Sequence, residues 1–306
     1  MKALGAAALV LLLAACTSTV KSSGPAIEPP HLTDEAFFAS DGARLPMRAW
    51  LPRGEPRAVV VALHGMNDYR AFFDIPGERL AAGGIAVYAY DQRGFGEAPE
   101  PGQWFGEAVL QDDLYAMLRL VAAKHPGRKL FVLGESMGAA VTMTALTRAD
   151  SDLPKLAGTI LVAPAIWSRD TMPWYQAGAL WVASHTVPWL TLTGSGLHIQ
   201  ATDNIPLLIK MSRDPLIIKA TRVSAIKGLC DLMDDAMHAA PALKPPTLVL
   251  IGELDQVVPP DASKTMAATL NPSIDVKYYP QNYHMMLRDL QGDIPTSDIA
   301  AWIDEH

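Results

Sequence analysis

Cysteine is scarce in this sequence: Cys16 and Cys230 are the only two in 306 residues. A disulfide scaffold needs many more, so stability must come from a hydrophobic core. No C-x-x-C, H-E-x-x-H or His-rich tract occurs, and neither a metal nor a cofactor is expected. Basic residues are also in deficit, with 25 Lys+Arg against 32 Asp+Glu and a net charge of −7. That leaves no cationic footprint for nucleic acid. The 22 glycines are too few for collagen, and 19% charged against 50% hydrophobic residues excludes a disordered chain. What remains is a globule with a sizeable core, in one or two domains.

A long apolar run is missing as well. After Met1-Lys2 the apolar stretch from Leu4 to Ala15 covers 12 residues, whereas a spanning helix needs about 20. It reads as a secretory signal, and its end, Leu13-Ala14-Ala15-Cys16, resembles the lipobox of bacterial lipoproteins. Residues 1–15 are expected to be a lipoprotein signal peptide, with Cys16 acylated as the first residue after cleavage. Thr17 after that cysteine, rather than Asp, implies the outer membrane of a two-membrane bacterium. Residues 16–33 are rich in Ser, Thr, Pro and Gly without apolar period, and are expected to form a flexible tether of at most about 60 Å. Cys230 is then a lone thiol, in a setting, Leu229-Cys230-Asp231-Leu232, that predicts a small buried hydrophobe.

From Glu35 to Leu51 the sequence alternates about the turn dipeptide Asp41-Gly42, predicting a hairpin. Ala58–Leu63, Ile85–Tyr90 and Leu130–Leu133 are solidly apolar, as parallel strands buried on both faces are. Thr159–Val162, Thr247–Ile251 and Val276–Tyr279 read as further strands. Helical spacing marks 107–124, 137–147 and 297–303. Strands alternating with helices predict an α/β fold with a mostly parallel sheet, split into 34–164 and 246–306. Between them, 165–245 shows no strand pattern and is expected to be an inserted helical cap. From Thr171 to Thr202 it has no charged residue, and four of the seven Trp stand at 167, 174, 181 and 189. Pro188, Gln176 and His185 argue against a membrane span there, as does the need for the flanking strands to share one sheet. Trp174, Gly178 and Trp181 share one helical face, whose burial in a core, in a substrate channel or in lipid is open.

The chemistry starts at Gly134-Glu135-Ser136-Met137-Gly138, which follows a strand and opens a helix. G-x-S-x-G in that context is a nucleophile elbow, a sharp turn that needs small flanking residues and exposes the Ser hydroxyl. Chance supplies such a pentad ~0.07 times in a chain of this composition. Ser136 needs a base, and the chain order Ser, Asp/Glu, His selects His284 beyond the last strand. The orienting acid should follow the strand 247–251, where Asp255 is the choice and Glu253 the alternative. An oxyanion hole needs two backbone N–H groups, assigned to Met137 and, in the loop after the first buried strand, to Met66. His64 is read as bracing that loop.

Together His64-Gly65-Met66-Asn67-Asp68, Asp91-Gln92-Arg93-Gly94-Phe95-Gly96, the elbow, Gly252-Glu253-Leu254-Asp255 and Tyr283-His284 resemble the α/β-hydrolases. Within that superfamily the resemblance is to the monoglyceride lipase and lysophospholipase branch of serine aminopeptidase S33 type, and it covers Phe37 to the C-terminus. It implies an α/β-hydrolase fold and a serine ester hydrolase with catalytic Ser136, Asp255 and His284, forming an acyl-enzyme on monoacylglycerol or lysophospholipid. The elbow departs from the branch in carrying Glu135 where His is frequent. An aminopeptidase or amidase on the same triad is the alternative, kept alive by Asp231, Asp234 and Asp235, and a non-catalytic lipid-binding envelope lipoprotein is the other. Expected partners are a lipid or small-molecule ester and, through the lipid on Cys16, a membrane.

Overall fold

The structure, a computed structural model, describes residues 20–149, 153–194, 196–244 and 246–306. The expected signal peptide and Cys16 lie outside the described residues. Eleven strands are present among the described residues: β1 (His31–Leu32), β2 (Ala36–Phe38), β3 (Arg44–Trp50), β4 (Ala58–Leu63), β5 (Ile85–Tyr90), β6 (Lys129–Glu135), β7 (Gly158–Val162), β8 (Thr191–Thr193), β9 (Ala220–Arg222), β10 (Thr247–Gly252) and β11 (Asp275–Tyr279). Nine form one sheet in the order β1-β2-β3-β5-β4-β6-β7-β10-β11, antiparallel through β3 and parallel from β5 onward. Flanking helices on both faces make this the α/β-hydrolase fold.

Alternation along the strands explains the two cores. Val59, Val61 and Leu63 of β4 face one way, into a cluster with Leu114, Met117, Met137 and Val141. Val60 and Ala62 face the other, into a cluster with Phe72, Phe73, Ile299 and Trp302. The helices on these faces include α1 (Asp74–Ala82), α2 (Glu107–Lys124), α3 (Met137–Thr147), the helix Pro260–Thr269 and, past the last strand, a C-terminal helix, Asp293–Glu305. The chain passes from β4 to β5 on one side and then crosses back to β6 on the other. The crevice beyond the carboxyl ends of β4 and β6 is therefore a topological switch point, where such sheets bind ligands.

Asp91-Gln92-Arg93-Gly94-Phe95-Gly96 forms the loop after β5. Arg93 donates to Asp113 of α2 (2.7 and 3.0 Å) and to Asp41 of the hairpin turn (2.6 and 2.9 Å). Gly94 takes a φ of 84°, and a Cβ on it would fall on the Gln103 carbonyl. The motif is a structural clasp between hairpin and helix.

Two expectations are corrected here. Residues 20–33 do not hang free. Lys21 N–H donates to Trp104 O at 2.7 Å, Ile27 N–H to Ser40 O at 2.7 Å, β1 pairs with β2, and His31 stacks on Phe38. Most of these contacts are made by backbone groups, so the polar sequence carries no sign of them. The insert is also not purely helical, because β8 and β9 pair as a short antiparallel ribbon. Its helices are α4 (Trp174–Thr186), α5 (Ile205–Arg213) and α6 (Val223–Ala239). The face bearing Trp174 and Trp181 is not core: they are 84% and 63% exposed. Cys230 is buried in α6, and burial pushes its thiol up to about 11.

Candidate active site

β6 ends at Glu135 and α3 begins at Met137, so Ser136 alone makes the turn. Its φ of 51° and ψ of −116° lie where only glycine is at ease, a strain of about 1–3 kcal/mol. Four backbone hydrogen bonds hold it. Ser136 N–H donates to Val162 O (3.0 Å), and its carbonyl accepts from Ala139, Ala140 and Ala165 N–H (3.0, 3.1 and 3.0 Å). A Cβ on Gly134 would strike the α3 backbone, and one on Gly138 would strike Leu63 O. Both glycines are required by close approach, which is the physical content of the G-x-S-x-G spacing.

Around that hydroxyl the loops after β10 and β11 converge. His284 Nε2 lies 2.9 Å from Ser136 Oγ, and His284 Nδ1 donates to Asp255 Oδ2 at 2.7 Å. The other oxygen of Asp255 accepts Val257 N–H (2.8 Å) and Val258 N–H (2.9 Å). Glu253, the alternative acid, points to solvent. His284 is 5% exposed. Burial opposes charge on its ring, but the Asp255 carboxylate, seconded by Glu135, outweighs that and raises the imidazole pKa above its ordinary value.

The loop after β4 brings Met66 to the same pocket. Among the described residues neither Met66 N–H nor Met137 N–H has an acceptor. Met137 N–H also heads α3, where the helix dipole favours negative charge. His64 is fully buried, which pulls its pKa down to about 4, so it is neutral. Its Nε2 accepts from Gln92 N–H (3.0 Å), which leaves the proton on Nδ1, donated to Gly65 O (2.8 Å). His64 is thus a brace for the loop, locked in one tautomer.

Several residues at the site were not foreseen. Arg288 donates to Asp68 at 2.9 Å and stacks on Phe72, tying the His284 loop to the Met66 loop. Asp289 accepts from Tyr283 N–H (2.8 Å) and Asn282 (3.1 Å), clamping the backbone next to His284. Glu135, which the sequence marks only as a departure, is buried beside His284. None of these has a local spacing signature.

Ser136 and His284 open into a pocket of about 370 Å³. Its far wall comes from the insert, through Ala201, Met211, Ile217, Ile226 and Leu229. That wall is anchored by hydrogen bonds from Met285 N–H to Ala201 O (2.8 Å) and from Asn67 to Thr221 (2.8 Å). A hydroxyl nucleophile, a base that can accept its proton and an apolar cleft large enough for an acyl chain therefore share one space.

Residues 54–291 match the Hydrolase_4 family, described as serine aminopeptidase, S33. The chain belongs to that family. This S33 member is similar to a monoacylglycerol lipase of Mycolicibacterium smegmatis, 24% identical over 90% of this chain and 98% of the relative. It is similar to the monoglyceride lipase of Homo sapiens at 26% identity, over 90% of each chain. In structure it resembles the monoacylglycerol lipase of Paleococcus ferrophilus, with a TM-score of 0.71 at 22% identity, over 85% of this chain and 98% of that one. The S33 match runs from before β4 to beyond β11 and includes the insert.

Proposed function

We propose that this protein hydrolyses single-chain acyl esters, monoacylglycerol or lysophospholipid, through an acyl-enzyme on Ser136. It is a serine hydrolase of the lipase/esterase type. The observation that carries the finer reading is the unbroken relay from Ser136 Oγ through His284 to Asp255, opening on an apolar pocket. As Ser136 Oγ bonds to the ester carbonyl carbon, its proton passes to His284 Nε2. The carbonyl oxygen becomes an oxyanion held by Met66 and Met137 N–H. His284 then protonates the departing alcohol, and the C–O bond breaks. Water repeats the cycle on the acyl-enzyme, returning the proton through His284 and freeing the fatty acid.

The insert supports a lipid substrate in two ways. Its apolar side chains line the pocket, and its uncharged outer face turns Trp174, Trp181 and Trp189 outward, as suits contact with an acyl-lipid surface. The three acids that favoured the aminopeptidase alternative are engaged elsewhere. Asp231 and Asp234 are paired with Arg169, Asp231 also with Lys227, and Asp235 contacts the side chain of Glu107. None of the three lines the pocket. The location proposed is the outer membrane, with a lipid on Cys16 as the anchor, because a net −7 gives no attraction to anionic lipid.

An ester chain-length series on wild type and Ser136→Ala tests the activity. Medium- or long-chain turnover abolished by the substitution is expected; no such activity in folded wild type would overturn it. A folded protein that a fluorophosphonate probe leaves unlabelled would favour the non-catalytic lipid-binding role. Intact mass of the envelope-extracted protein, against Cys16→Ser, tests the anchor, and an unacylated wild-type chain would refute it.

A further inference from the structure

Glu135 is a buried acid at the active site that the triad leaves unused. It is 2% exposed, and its Oε1 lies 3.9 Å from His284 Nε2, the ring atom that receives the serine proton. Its Oε2 lies against Gly65, where an added Cβ would come within 2.5 Å of it, so the loop carrying Met66 closes over the carboxyl only because residue 65 is glycine. The neighbouring acids are spoken for: Asp68 by Arg288, Asp289 by Tyr283 N–H and Asn282, Asp255 by two backbone N–H groups. Among the described residues none donates a hydrogen bond to Glu135.

A carboxyl in that position without a donor is held either by its own proton or by a nearby cation, and the imidazolium of the catalytic cycle is the cation nearest to it. We infer that Glu135 is a second carboxyl of the base, a positioning residue that shares a proton with His284 and stabilises the imidazolium from its Nε2 side. The inference rests on the triad reading. When Oγ gives its proton to Nε2 and bonds to the ester carbon, the ring then lies between Asp255 at Nδ1 and Glu135 near Nε2. Burial pushes the Glu135 carboxyl up to about 7, and the carboxylates around His284 raise its imidazole, so the two facing groups titrate as a coupled pair. The other charged groups facing the pair, Asp255, Asp289 and the Asp68–Arg288 ion pair, are left in place by a change at 135.

The test is Glu135→Gln, which keeps the shape and removes the charge. The readouts are the pH profile of kcat/KM on a water-soluble ester and the rate of fluorophosphonate labelling. Wild type should show an acid limb spread over two coupled ionisations. In Glu135→Gln the limb should reduce to one ionisation with its midpoint lower by at least about half a pH unit, because the carboxylate no longer favours the imidazolium. Plateau labelling should fall roughly three- to tenfold with KM nearly unchanged, and Glu135→Asp should restore part of the shift. Limbs that superimpose for wild type and Glu135→Gln overturn the inference. Should Glu135→Gln not fold, a wild-type limb described by one ionisation overturns it instead. Ser136→Ala separates the two readings: if it is inactive while the Glu135→Gln limb is unmoved, only this inference fails, and if it retains activity the triad reading fails.

Discussion

Replacing Asp255 by Asn should cripple the enzyme without changing its shape, and the reason lies in which hydrogen bonds a carboxamide can keep. Asp255 Oδ1 accepts two N–H groups, from Val257 and Val258, while Oδ2 accepts from His284 Nδ1. An Asn side chain has one acceptor oxygen and one NH2. The oxygen must stay on the two valine N–H groups, since an NH2 there would face two donors, so the NH2 is turned toward His284. Nδ1 must then accept, which moves the ring proton to Nε2. A proton on Nε2 can be donated to Ser136 Oγ, but the ring can no longer take the hydroxyl proton. By the loss seen when a triad acid is changed in this way, kcat should fall ~10⁴-fold, about 5.5 kcal/mol of transition-state stabilisation. KM should change little, because Asp255 does not line the acyl pocket. Steady-state turnover of a soluble ester and the fluorophosphonate labelling rate measure the effect, with a thermal melt to show folding and Glu253→Gln as a control at an exposed acid. A folded Asp255→Asn within tenfold of wild type, or a Glu253→Gln equally impaired, would refute the assignment.

Other consequences follow from the same geometry. Catalysis needs neutral His284, and its pKa is raised by Asp255 and Glu135 against burial, so activity should be lost as pH falls through a midpoint above the ordinary ~6.5; a rate flat down to about pH 4 would contradict His284 as base. Ser136→Gly should abolish turnover yet raise stability by about 1 kcal/mol in urea unfolding, because the positive-φ strain is relieved. Arg93→Met should destabilise the fold by about 3–5 kcal/mol by leaving Asp41 and Asp113 without their shared cation, and the folded fraction should keep its kcat. The paired change Trp174→Ser and Trp181→Ser should weaken binding to phospholipid vesicles and turnover of dispersed monoacylglycerol several-fold while leaving a soluble short-chain ester untouched; equal loss on both substrates would show that the face serves the pocket and not a lipid surface.

The residues brought together at the site differ in how visible they were in the chain. Ser136 announces itself because an elbow needs glycines at fixed offsets between a strand and a helix, a purely local constraint. His284 and Asp255 carry no such local mark and were selected by chain order after the last strands. Asp255 and Glu253 were distinguishable only in three dimensions, where one turns inward onto two valine N–H groups and the other to water. Asp68 and Arg288, 220 positions apart, meet through the fold alone. The backbone pairing that holds residues 20–33, and the short β8–β9 ribbon, leave no side-chain period to read.

By itself the sequence determined the alternation of buried strands and helices, the uncharged insert and the candidate nucleophile, because each follows from local spacing of residue types. Only the tertiary structure decided which acid serves His284, that Glu135 lies against the base, and that the tryptophan face of the insert looks outward. Periodicity states which side chains share a face or an edge. What that face meets depends on segments far away in the chain, and their burial, charges and hydrogen-bond partners exist only once the chain has folded.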